Sequence, residues 1–108
     1  MRRRSARKLV TTPAVETDRV EALIASARRI RRRGDERRAR QLLREACALD
    51  EYRPRTFALL GAWLAQAHIR DEACQRFRHA RWLALRAGEL GRVKTLDGLL
   101  AKVGDRAA

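Results

Sequence analysis

Apolar residues recur along the chain in steps of three and four, the spacing that gathers side chains on one face of an α-helix. Val20, Leu23, Ala27 and Ile30 form the first such stripe, with Ile24 beside it. Ala39, Leu42, Leu43, Ala46 and Leu49 form the second, and Phe57, Leu60, Gly61 and Leu64 the third. A fourth runs through Ala73, Phe77, Ala80 and Leu83, and a last through Val93, Leu96, Leu100 and Val103, with Leu99 beside it. β-branched and aromatic residues never gather into alternating runs, so no strand is predicted. The pattern is that of an all-α chain of five helices.

The punctuation agrees with the stripes. Thr12-Pro13 reads as an N-cap with proline at the first helical position. Asp18 followed by Glu21 reads as a capping box, so the first helix begins at Pro13 or at Arg19. Gly34 ends it and Asp35 caps the next. The second helix stops near Asp50, and Tyr52-Arg53-Pro54 restarts the chain. A turn around His68-Ile69-Arg70 leads to Asp71 and the fourth helix, with the Asp71-Glu72 pair favoured there by the helix dipole. Gly88 and Gly91 break the chain again, and the last helix spans residues 90–103, ending at Gly104. Short connections make neighbouring helices antiparallel.

A shift of 34 residues superposes residues 20–53 on 54–87. Only five aligned pairs are identical, but three of them, Ala39/Ala73, Ala46/Ala80 and Leu49/Leu83, lie on the apolar stripes. Large residues also match large: Leu23/Phe57, Ile30/Leu64 and Leu43/Phe77. Such a helical hairpin cannot bury both sides of its apolar face alone, and stacking the next unit buries the remainder.

The period and the small/large pattern resemble the tetratricopeptide repeat (TPR). The second repeat carries Phe57-x2-Leu60-Gly61-x2-Leu64, then Ala73, Phe77 and Ala80; the first carries Leu23-x2-Ser26-Ala27-x2-Ile30, then Ala39, Leu43 and Ala46. Gly34-Asp35 and Leu49-Asp50 resemble the family's intra-hairpin turn and its repeat ending, while the proline after that ending is displaced to Pro54. The resemblance implies a TPR-like antiparallel helical array (an α-solenoid) over residues 12–104, with the last helix as a solvating cap. A homodimer through Leu99, Leu100 and Val103 is the other way to cover an open end.

Charge adds the next constraint. The chain carries a formal net charge of +13, with 23 arginines among its 26 cationic residues. GC-rich coding also favours arginine over lysine, but it does not create a deficit of acids. Residues 1–11 hold five cations and no acid, and read as a disordered basic arm. No apolar h-region follows that arm, so a secretory signal is not predicted, and no run approaches the ~20 residues of a membrane span. Two cysteines, Cys47 and Cys74, make no disulfide framework, which points to a reducing, cytoplasmic setting. They lie far from metal-ligand spacing, His68 and His79 read as incidental, and Trp63 and Trp82 read as packing residues. No nucleophile elbow, phosphate loop or carboxylate pair is present, so neither an enzyme, a metal nor a cofactor is predicted.

Residues 28–40 concentrate eight arginines against two acids. In a TPR array the first helix of each hairpin lines the concave groove. The resemblance therefore implies that Arg28, Arg31 and Arg32 face the groove, that Arg55 joins them, and that Ala62, Ala65 and Gln66 are their counterparts in the second repeat. A groove basic at one end and small and apolar at the other suits an acidic peptide or protein, because arginine forks bind carboxylates bidentately. Ile24 and Arg28 stand where a TPR carboxylate clamp would begin, which argues against a clamp of that type. The sequence thus predicts a non-catalytic protein-binding scaffold. Non-specific nucleic-acid binding through the same arginines and the basic arm is the alternative.

Overall fold

A computed structural model describes the backbone of residues 13–107 and the side chains of residues 18–104. The basic arm over residues 1–11 lies outside the described residues. Every regular element among the described residues is an α-helix: α1 (Pro13–Arg32), α2 (Glu36–Leu49), α3 (Pro54–Gln66), α4 (Arg70–Arg86) and α5 (Leu90–Ala107). None of these helices is long and apolar enough to cross a membrane. Each helix packs on its successor in the chain, and among the described residues no pair out of sequence order packs as closely.

The first helix starts at Pro13, so Asp18 and Glu21 stand inside it and make no capping box there. The face of α1 turned inward is Val20, Ile24 and Ala27, all buried, whereas Leu23 and Ile30 are half-buried against the rim of the core. Ile24, not Leu23, is therefore central to the stripe. Leu23 instead lines the open end of the array with Arg19, Ala22, Glu45 and Leu49.

Both hairpin turns close in one way. After α1, Gly34 N donates to Arg31 O at 2.9 Å and Asp35 N to Ile30 O at 3.2 Å. After α3, His68 N donates to Ala65 O at 3.0 Å and Ile69 N to Leu64 O at 2.9 Å. This is the Schellman closure, which needs a residue in the left-handed region at its corner. Gly34 fills it with φ +101° and His68, 34 residues on, with φ +62°. The turns differ in how they start the next helix. Asp35 caps α2 by accepting from Arg38 N at 3.1 Å, whereas Ile69 gives α4 no side-chain cap. The predicted start at Asp71 moves back to Arg70, with Asp71 and Glu72 in the first turn.

Inside the second hairpin α3 and α4 cross at Gly61. A Cβ there would lie 2.7 Å from two ring atoms of Phe77, a contact too short to exist. The first hairpin puts Ala27 and Leu43 at the same places, both buried. The small partner has gained a methyl and the large one has lost a ring.

A single break at Gly88 (φ +74°) separates α4 from α5. Gly91 does not interrupt the chain, since it stands in the first turn of α5, where Val93 N already donates to Glu89 O at 3.1 Å. Gly104 likewise does not end the helix, which continues to Ala107. A glycine costs a helix only about 1 kcal/mol, and tertiary packing overrides that. Leu96 and Val103 enter the main core, with Leu99 and Leu100 packed at its edge. Val103, placed at a possible dimer contact, is thus covered by its own chain.

Candidate functional site

α1 and α3 run side by side, and two polar contacts fix their register. Near the start of α3, the half-buried Arg53 bonds Glu21 through Nη1 and lies 3.5 Å from Asp50 Oδ2 through Nε. At the other end, Arg31 Nη2 donates to Gln66 Oε1. Residues 32 and 35 positions apart therefore meet, one pair near the start of α3 and one near its end.

Arg28, Arg31 and Arg32 follow one another at i, i+3 and i+4, so their side chains leave α1 on one face. With Glu36 and Trp63 they line an open cleft of about 350 Å³. Arg31 is held from two directions: its guanidinium carbon lies 4.7 Å above the centre of the Trp63 ring, and its Nη2 is tied to Gln66. A guanidinium over an indole face is attracted by the ring quadrupole. Arg28 and Arg32 are exposed on either side of it and have no acidic partner among the described residues. They line a cleft that also holds the Glu36 carboxylate, and three guanidinium groups against one carboxylate favour the capture of an anion.

Arg55 does not join this cluster. It is exposed at the start of α3, eight residues before Trp63, which is about 12 Å along a helix axis. The side-by-side register sets it beside the region of Glu21, away from the arginines at the end of α1. Trp63 is buried, as a packing residue should be, but it also supplies the ring under Arg31. Trp82 is not a packing residue: it is 46% exposed, with Arg86 stacked 4.8 Å from its ring centre. His79 is structural, not incidental. Its Nε2 bonds the Glu51 carbonyl oxygen at 2.8 Å and its ring centre lies 4.2 Å from that of Phe57, which ties α4 to the α2–α3 connection.

Beyond Gln66, the groove positions Ala62 and Ala65 line a second cavity of about 290 Å³, closed by α5 through Leu99 and Val103. Gln66 belongs to this cavity and also accepts from Arg31, so the two recesses share a wall. The recess lined by the three arginines and the recess lined by Ala62 and Ala65 are thus adjacent.

On the opposite side of the array, Arg44 of α2 makes a bidentate pair with Glu72 of α4, both bonds at 2.8 Å, and Arg76 adds a third bond at 3.2 Å. The Arg44 hydrogen bonds, opposed by desolvation, hold the Glu72 carboxyl below its ordinary range; they also raise Arg44. Cys47 is buried, and burial pushes its thiol up to about 12, so it remains protonated and unreactive. Nothing in the sequence marks the Arg44–Glu72 or Arg53–Glu21 pairs, because their partners stand 28 and 32 residues apart. The 34-residue period does bring each pair to within one or two helical turns. No group of three or more potential metal ligands occurs among the described residues.

Comparison with family models, with curated proteins and with solved structures finds no match to this chain.

Proposed function

We propose that the chain is a non-catalytic, TPR-like interaction module that binds an acidic protein or peptide along the groove beside α1 and α3. The solenoid reading is supported by packing between sequence neighbours, by the side-by-side register of α1 and α3, and by the shared hairpin turn. The binding reading rests on one observation. Arg28 and Arg32 flank an arginine that is already braced by Trp63 and Gln66, and neither has an acidic partner among the described residues. Arginine forks bind carboxylates bidentately, and the braced Arg31 fixes the face from which its two neighbours extend. A cytoplasmic location belongs to the same proposal, supported by two free thiols.

Arg31 contributes to the contact between α1 and α3, so the informative variant is R28E/R32E. Its affinity for a glutamate-rich peptide should fall by about tenfold or more, since two attractive charges become repulsive. Its far-ultraviolet circular dichroism should match that of the wild type. Unchanged peptide affinity would sink the proposal. Binding of random RNA and DNA at about physiological salt, with no binding of the acidic peptide, would transfer the arginines to nucleic-acid phosphates.

A further inference from the structure

The cavity beneath α5 is lined on its α3 side by two small residues, Ala62 and Ala65. Ala62 and Ala65 stand 34 residues after Arg28 and Arg31, at the same groove positions. Where α1 lines its cleft with guanidinium groups, α3 presents two methyls to the recess. Phe77 forms its floor, and Leu99 and Val103 of α5 close its side. At about 290 Å³ it falls at the lower limit of small-molecule pockets, ~300–1,000 Å³. That is room for one large side chain.

The mouth of the recess is cationic. Arg70 at the start of α4 and Lys102 on α5 both line it, and neither has an acidic partner among the described residues. On its other side the shared wall at Gln66 leads to Arg31, with Arg28 and Arg32 beyond. A segment lying across the recess would meet arginine on one side and Arg70 with Lys102 on the other.

We propose that this recess is a specificity subsite that seats one leucine-sized or phenylalanine-sized side chain of a peptide with acidic residues on both sides of that anchor. The inference rests on the acidic-peptide reading above and adds to it the residue that selects among acidic partners. Arginines alone would accept any polyanion. An apolar recess between two cationic patches accepts an alternating acidic and apolar segment and gains nothing from a nucleic-acid backbone.

The test is fluorescence anisotropy with two labelled peptides, Glu-Glu-Asp-Leu-Asp-Glu-Glu and its analogue with alanine in place of leucine. The leucine peptide should bind about tenfold or more tightly, the ratio that burial of such a side chain supports. Ala65→Leu fills the recess from within. It should abolish the preference for leucine, so that the two peptides bind A65L with equal affinity. Lys102→Glu should weaken both peptides. Should A65L lower the melting temperature, A62L fills the same recess and serves in its place. Equal affinity of the two peptides for the wild type would overturn the subsite and leave the acidic-peptide reading standing. Binding of neither peptide would overturn both. A leucine preference that survives in the filled variants would overturn the subsite, because the anchor would then sit elsewhere.

Discussion

At the scale of single residues, the two hairpins solve one packing problem in two ways. Gly61 lets the Phe77 ring come within the space of a Cβ, and Phe77 is 1% exposed, so the ring has nowhere to retreat. Gly61→Ala gains about 1 kcal/mol of helix propensity but forces a buried ring out of place, at a cost of about 1–3 kcal/mol. A net loss of about 1 kcal/mol is expected in urea melts. Phe77→Leu alone leaves a void and also destabilises. The double variant reproduces the Ala27/Leu43 pair of the first hairpin and should be more stable than the sum of the two losses by about 1 kcal/mol or more. Additive losses would show that the two positions do not share that contact. The pattern of small and large residues was legible in the sequence, because 34-residue spacing aligned Ala27 with Gly61 and Leu43 with Phe77. Which atoms collide was not, since a one-dimensional pattern carries no crossing distance.

At the scale of elements, what could be read depended on whether a residue declares its backbone. Gly34 announces a left-handed corner, and the first hairpin turn falls there. His68 occupies the same corner without announcing it, and only the period points to it. Gly91 and Gly104 announce breaks that do not occur, because α5 gains more from packing than two glycines cost. The turns can be exchanged as a test. His68→Gly relieves a left-handed strain of about 1 kcal/mol, partly offset by the greater freedom of glycine in the unfolded chain. Ile69→Asp supplies the cap that α4 lacks, a gain of about 1 kcal/mol. Ile69 is 36% exposed, so the apolar surface it still covers offsets part of that gain. The double variant, which carries the Gly34-Asp35 turn in the second hairpin, should melt about 4 °C or more above the wild type. An unchanged or lower melting temperature would mean that His68 or Ile69 makes a native contribution beyond the turn.

At the scale of the whole molecule, the two hairpins meet through a limited interface that polar pairs bridge on both sides of the array. The i, i+3, i+4 spacing puts Arg28, Arg31 and Arg32 on one face of α1, and they line one cleft. The sequence pattern did not identify Arg55 as distant, because a position near a helix start reads the same from either end until the register is known. It also left out Arg44 and Glu72, which look like solvated charges until α2 and α4 are set side by side. That pair makes stability depend on pH with a definite sign. The Glu72 carboxyl is held below its unfolded value, so its contribution is present above the ordinary carboxylate range and is lost as pH falls through the lowered folded value. Because Glu72 and Arg44 are still 22% and 35% exposed, water screens the pair, and about 1 kcal/mol is expected from it at neutral pH. Glu72→Gln should therefore be less stable than the wild type by about that amount in urea melts at pH 7. The gap should narrow as both proteins are brought to about pH 3, where the wild-type carboxyl is itself neutralised. Self-repulsion among 26 cationic residues acts on both proteins alike at low pH and cancels in the comparison. A gap that stays constant across the pH range would show that Glu72 acts through packing, and the bridge between α2 and α4 would then be held by shape instead of charge.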